Sequence, residues 1–177
     1  QDTSLQAQWR QFLIELFTRY ENGVDLFEIG NTPNRRKWSG FTGRSLLKGW
    51  DIARYVARDF SITLAGPNIS DFEPLYNSFY LSLIGTSGKV PAVHTDNLFV
   101  ERVIEPEAYD HRALGRWLTR PGQLNLVKKA RILQRLGQRR GSQSFVCTYT
   151  CWTVKRLARR SPSPYTKQVD YLLRYLV

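Results

Sequence analysis

Between residues 4 and 22 the apolar side chains of Leu5, Trp9, Phe12, Leu13, Leu16, Phe17 and Tyr20 recur three and four residues apart. That spacing lines one face of an α-helix. Asp2, Thr3 or Ser4 can cap its start and Gly23 can end it. So regular a stripe must be buried, so the chain has to build a core around helices. The same signal returns along the sequence. Leu46, Trp50, Ala53, Ala57 and Phe60 mark a helix from about Ser45 to Phe60. Leu75, Tyr76, Phe79, Tyr80, Leu83 and Ile84 mark one over roughly Phe72 to Ile84 that is apolar nearly all round and therefore central. A fourth helix is expected from Pro106 to Arg120, a fifth from Leu124 to Leu136 ended by Gly137, and a last one in "TKQVDYLLRYLV".

Between them lie short strand-like pieces: "VDLFEI", "SITLAG" closed by Gly66-Pro67, "NLFVERVI" and "SFVCTYTCWTV". The expected fold is mostly α, with about five to six helices and minor β. Apolar residues make up 42% of the 177, enough to pack one core, so a single compact helical domain over residues 1–177 is expected.

The charge divides that domain in two. Residues 1–110 carry 11 Lys/Arg against 14 Asp/Glu, a net of −3, while residues 111–169 carry 14 Lys/Arg and no acid. Asp170 and Arg174 cancel, giving the net +11 of the whole chain. The basic half, 111–177, lacks local ion pairs, so its charge is to be matched by the near-neutral half, by another chain or by phosphate.

The fifth helix makes the strongest case for phosphate. At about 100° per residue from Leu126, Lys128, Arg131, Arg135 and Arg139 fall near 200°, 140°, 180° and 220°. Leu126, Ala130, Leu133 and Leu136 fall on the opposite side. Surface helices normally mix signs to gain i,i+4 pairs, and this one has no acid. Lys128, Lys129, Arg131, Arg135, Arg139 and Arg140 are thus candidate phosphate contacts, with Arg112, Arg116 and Arg120 of the preceding helix beside them. A pair of helices joined by a short turn also fits a helix-turn-helix, with 124–136 as recognition helix and duplex DNA as partner.

A second basic element is "NRRKWSGFTGRSLLKGW" (34–50). Arg35, Arg36, Lys37 and Arg44 supply cations, and Trp38 and Phe41 supply rings on which bases can stack. The G-x-x-G spacing of Gly40 and Gly43 is similar to the loop with which KH domains clamp nucleotides. An extended loop precedes it here instead of a helix, so the family is not claimed. What carries over is a glycine-permitted approach of backbone to phosphate ahead of a helix N-terminus.

Motifs that carry catalysis are absent: no G-x-x-x-x-G-K-[ST], no H-E-x-x-H, no G-x-S-x-G. His94 and Asp96 form a local pair suited to acid–base work, but no nucleophile is marked. Asp96, Glu101, Glu105 and Glu107 could hold Mg²⁺, though strand and helix-start roles account for the last three. No metal or cofactor is expected. Cys147 and Cys151 are four apart on a strand, about 13 Å, too far for a disulfide, which suits half-buried thiols in a reducing, intracellular compartment. No run of about 18 apolar residues is present, so no transmembrane helix is expected. Ser161 and Ser163 in "RRSPSP" are candidate phosphorylation sites.

The reading is a non-enzymatic RNA-binding protein of a ribonucleoprotein assembly, either a ribosomal-type component or a viral nucleocapsid or RNA-sequestering protein. It would bind through the basic helix and the 35–44 loop. The alternatives are a matrix-like protein on an anionic membrane and a helix-turn-helix DNA-binding regulator. The apolar "VDYLLRYLV" suggests self-association or a partner groove.

Overall fold

The computed structural model describes residues 3–88, 90–98, 111–112, 123–147 and 162–176. Helix α1 (Thr3–Tyr20) is followed by strand β1 (Leu26–Glu28), the short helix α2 (Arg36–Ser39) and helix α3 (Gly43–Val56) with a 3₁₀ turn at Ala57–Asp59. Strand β2 (Thr63–Ser70), helix α4 (Pro74–Gly85) and strand β3 (Val93–Asn97) come next. Two short strands, β4 (His111–Arg112) and β5 (Gln123–Leu124), precede helix α5 (Leu126–Arg140), strand β6 (Ser144–Cys147) and helix α6 (Pro164–Leu176).

This overturns the mostly-α expectation. Strands β1, β2, β3 and β6 form one four-stranded sheet in that order, every pair parallel. The molecule is mixed α/β. Helices α3, α4 and α5 are the crossovers that parallel neighbours require. The short strand-like pieces between the helices are consecutive members of that sheet, not decoration on a helical bundle.

The strand order is sequential, and the crossover helices pack against one face. Register places Gly66 beside His94 and Ile69 beside Asp96. Gly66 lies under the Trp50 ring of α3; Ile69 packs with Leu46 of α3 and Tyr80 of α4; His94 and Asp96 both bond Asn77 of α4. Gly137 of α5 abuts His94. α3 touches α4 and α4 touches α5. This winding is that of adjacent strands in a (β/α) barrel wall, not that of a doubly wound sheet whose order reverses.

The main core joins Leu13 and Phe17 of α1, Phe27 and Ile29 at β1, Trp50, Ala53 and Val56 of α3, and Ile84 of α4. Phe17 stands edge-on to Phe27 with centroids 4.9 Å apart, a geometry that favours aromatic pairs. Local signals fix the helix ends. Thr42 and Ser45 form a reciprocal capping box at α3. Asn125 caps α5 by accepting from the Lys128 N–H at 2.9 Å, and Gly141 ends it in the left-handed conformation.

Several boundaries move for physical reasons. Gly66-Pro67 does not close a strand but lies inside β2: a Cβ at Gly66 would stand 2.6 Å from the Ile29 carbonyl, so only glycine lets β1 and β2 approach there. α5 does not stop at Gly137, because that glycine makes room for His94, whose Nδ1 would lie 2.7 Å from an added Cβ. His111 and Arg112, expected within the fourth helix, pair as a strand with Leu124 and Gln123. The rest of that helix, with Glu107, Arg116 and Arg120, lies outside the described residues, as do Glu101, Glu105, Cys151 and Ser161.

Candidate functional site

Two regions gather the polar chemistry. The first is the carboxyl end of the sheet, where α/β proteins of parallel strands bind their ligands. The loop leaving β1 is stitched there to the end of β2. The Thr32 N–H donates to the Asn68 carbonyl at 2.9 Å. Asn34 brackets Ser70, its Nδ2 donating to the Ser70 carbonyl at 2.9 Å and its Oδ1 accepting the Ser70 N–H at 3.0 Å. The buried Tyr80 hydroxyl donates to the Pro33 carbonyl at 3.0 Å. Arg35 pairs with Asp71 and reaches Glu73 at 3.2 Å. The bond to Asp71 raises its pKa further, so Arg35 is committed within the fold and not offered to phosphate.

Beneath this loop lies a buried polar chain. His94, Asn77 and Asp96 have no solvent exposure. Asn77 Nδ2 donates to Asp96 Oδ2 at 2.9 Å and to the Glu73 carbonyl at 3.1 Å. Asn77 Oδ1 is 2.6 Å from His94 Nε2, so the imidazole carries its proton there. Burial lowers the His94 pKa to about 4 against a smaller upward pull from the Leu133 carbonyl. Burial raises Asp96 to about 8; the Asn77 bond opposes this, and Asp71 and Glu73 add to it. Both groups are therefore neutral near pH 7, the form burial favours. Neither reaches solvent to exchange protons with a substrate, and no group of three or more potential metal ligands occurs among the described residues.

The second region is the outer surface of α5. Arg131, Arg135, Arg139 and Arg140 are exposed and Lys128 is half-exposed. Arg135, Arg139 and Arg140 line a cleft of about 510 Å³ with Ser78 of α4, Ile132 and Leu136. Arg140 donates to the Ser78 hydroxyl at 2.7 Å. No carboxylate pairs with these arginines among the described residues. Lys129 is different: it is fully buried, its ammonium 5.8 Å from the centre of the Phe72 ring, in cation–π range. It is not part of the outer stripe.

The 36–44 loop lies after β1. Arg36, Lys37 and Arg44 are exposed, and Trp38 is 80% exposed. Phe41 instead packs against the cluster of Leu46, Ile69 and Tyr80. Arg112 is in β4. Tyr165, Val169 and Leu173 form an exposed apolar line along α6. No helix among the described residues is long and apolar enough to cross a membrane.

Asn77 is the functional-looking residue that sequence reading passed over. The signal for it was present: a lone amide on a helix otherwise apolar nearly all round. The fold and these two regions define a parallel α/β protein with a polar strand-end site and a separate cationic helix face. No known protein family matches the chain, and no curated protein is similar to it.

Proposed function

We propose that the chain binds a polyanion, RNA in preference to duplex DNA, along the outer face of α5. The observation that carries this is the set of arginines at 131, 135 and 139, exposed, without carboxylate partners among the described residues, and two of them lining a cleft with Arg140 and Ser78. Their spacing of four residues sets steps of about 6 Å along the helix, close to the spacing of successive phosphates on one strand. Guanidinium groups suit phosphate by their planar donor fork. Arg36, Lys37, Arg44 and the exposed Trp38 ring supply a second contact that favours unpaired bases. Lys129 and Arg35 drop out of the binding set, one buried and the other ion-paired. The reading assigns no chemistry to this face. It includes a ribonucleoprotein setting in a reducing, intracellular compartment, and self-association through the apolar line of α6.

The test is fluorescence anisotropy with a labelled single-stranded oligouridine against a duplex DNA of equal length, over a salt series. Each phosphate neutralised on a single strand contributes about 0.7 to the slope of log K against log salt. The variant Arg131→Gln/Arg135→Gln/Arg139→Gln keeps helix propensity and is expected to lower the slope by about 2. An unchanged slope removes α5 as the binding face. Preference for duplex DNA, or flotation with anionic vesicles but no RNA affinity, selects one of the other two readings.

A further inference from the structure

Helix α4 carries two large apolar side chains that the core does not use. Leu75 is 85% exposed and Phe79 54%. They lie four residues apart, on one side of the helix, while Asn77, Tyr80, Leu81 and Ile84 face inward and are buried. An exposed ring is by itself ordinary on a protein surface. What sets Phe79 apart is its position and its fixed orientation. It stands edge-on to Tyr80 with centroids 5.1 Å apart, and the Tyr80 hydroxyl is anchored on the Pro33 carbonyl.

Phe79 lies between the two cationic regions. On one side is the start of α3. A Cβ added at Gly43 would stand 3.8 Å from Phe79 Cζ and 3.2 Å from Leu83 Cδ2, so the glycine lets the ring approach the end of the 36–44 loop, beside the exposed Arg44. On the other side is Ser78, the next residue along the helix. Its hydroxyl accepts from Arg140 at 2.7 Å, and it lines the cleft with Arg135 and Arg139. Asp71 and Glu73, which precede α4, share Arg35. The ring is thus flanked by cations on both sides.

We propose that one unpaired RNA strand crosses α3, α4 and α5 in a single track, with a base stacked on Phe79 between the Trp38 loop and the arginines of α5. This rests on the reading of α5 as a polyanion face, and adds to it the strandedness and length of the partner. The axes of three adjacent helices span about 20 Å, at about 8–10 Å per neighbour. A strand that follows the step of about 6 Å set by the α5 arginines covers this in about four nucleotides. An exposed ring between basic groups suits a single strand, whose bases are free to stack on it. A duplex keeps its bases paired inside. An acidic peptide would match the cations but has no base to lay on the ring.

The probes are a labelled hexauridine and an abasic hexamer of equal charge, read by fluorescence anisotropy. The parent protein is expected to bind hexauridine about tenfold tighter than the abasic chain. Phe79→Leu keeps an apolar side chain but loses the stacking face, and is expected to weaken hexauridine about tenfold. Its affinity for the abasic hexamer and its salt slope should match the parent's, since no charge is lost, which also shows that the variant is folded. Phe79→Trp retains a stacking face and is expected to bind as the parent does. In ¹⁵N spectra the Trp38 indole N–H and the backbone amides of Phe79 and Arg139 should shift together and saturate at one hexauridine per chain. If hexauridine binding responds to Arg131→Gln/Arg135→Gln/Arg139→Gln but not to Phe79→Leu, the track is overturned and the α5 face stands. Equal binding of the abasic hexamer and hexauridine by the parent, or displacement of hexauridine by hexaglutamate at equal concentration, also overturns the track. Saturation of Trp38 and Arg139 at different concentrations means two separate sites and overturns it likewise. No binding of either hexamer by the parent removes the track and the α5 face together.

Discussion

Arg35, at the carboxyl end of the sheet, gives its guanidinium to Asp71 and Glu73. Arg135, on the outer face of α5, has no carboxylate partner among the described residues. The two arginines stand for their regions. Around Arg35, amides, carboxylates and backbone groups are tied together, and three side chains are held at positive φ to do it. Around Arg135, cations share a cleft with two apolar residues and a serine. A polar group that is bonded and buried contributes to the fold, and removing its partner costs stability. A solvated charge contributes little to the fold, and its energetic consequence appears when a counter-charge arrives. The comparison therefore predicts a gradient of stability effects, large at the strand ends and near zero on α5.

The largest effect is expected at Asn77. Its amide is bonded to His94, Asp96 and the Glu73 carbonyl at once. Asn77→Ala leaves two buried polar side chains unsatisfied, at about 1–3 kcal/mol each. A loss of roughly 3–5 kcal/mol in urea unfolding is expected. A loss below about 1 kcal/mol would mean that water replaces the amide and that the chain is not a dry network.

Next comes the pH dependence of the same chain. Asp96, raised to about 8 in the fold, stabilises below its unfolded pKa, and that contribution is lost as pH rises toward 8. His94, lowered to about 4, stabilises above its unfolded value near 6.5, and that contribution is lost as pH falls toward 4. Between about 4 and 6.5 the two slopes cancel. From about 6.5 to 8 only Asp96 acts, and stability falls by about 2 kcal/mol at 1.36 kcal/mol per unit. In Asp96→Asn that fall is absent, while a rise with pH between about 4 and 6.5, due to His94, emerges. Urea melts of both proteins at pH 5, 6.5 and 8.5 check it; equal losses above pH 6.5 would show that Asp96 is ionised in the fold.

These two predictions rest on residues that the sequence displayed without their meaning. α1, α3 and α4 were legible because apolar spacing and caps are local. The sheet was not, because its pairing joins segments far apart along the chain, as in Leu26 with Thr63 and Val93 with Ser144, and its strands lack the usual pattern. β3, "VHTDN", reads as a polar loop since its helix-facing His94 and Asp96 bond to Asn77, a partner 17 and 19 residues away. β2 reads as broken since it contains Gly66-Pro67. Yet helices and strand-like pieces alternated along the chain, and that alternation is itself the signature of parallel β-α-β units. On α5 the cationic stripe was legible from the 100° period. So was the burial of Lys129, which falls at about 300° from Leu126 on the apolar side of the wheel.

A smaller effect separates the two rings of the 36–44 loop. Phe41 packs on the cluster of Leu46, Ile69 and Tyr80, so Phe41→Ala is expected to cost about 1–2 kcal/mol, less than a fully buried phenylalanine. Trp38 is 80% exposed, and Trp38→Ala is expected to change stability by less than about 0.5 kcal/mol. If Trp38 stacks on bases, the same change weakens single-strand binding by about 1–3 kcal/mol. Equal stability losses at the two positions would place both rings in the core.

The smallest effect is expected on α5 itself. Arg131, Arg135 and Arg139 are exposed, make no ion pair among the described residues, and lie opposite the buried Leu126, Leu133 and Gly137. Changing all three to Gln preserves helix propensity, leaves the Asn125 cap and Gly141 stop in place, and removes mutual repulsion between like charges four apart. Thermal unfolding of the triple variant should therefore match the parent within about 0.5 kcal/mol or shift slightly upward. A rise that shrinks on adding salt would identify that repulsion directly, since screening weakens it. A fall of more than about 1 kcal/mol would instead show that these arginines hold α5 to the rest of the molecule. The contrast with Arg35 would then vanish, and the cationic face would count as part of the fold and not as a surface kept free for a polyanion.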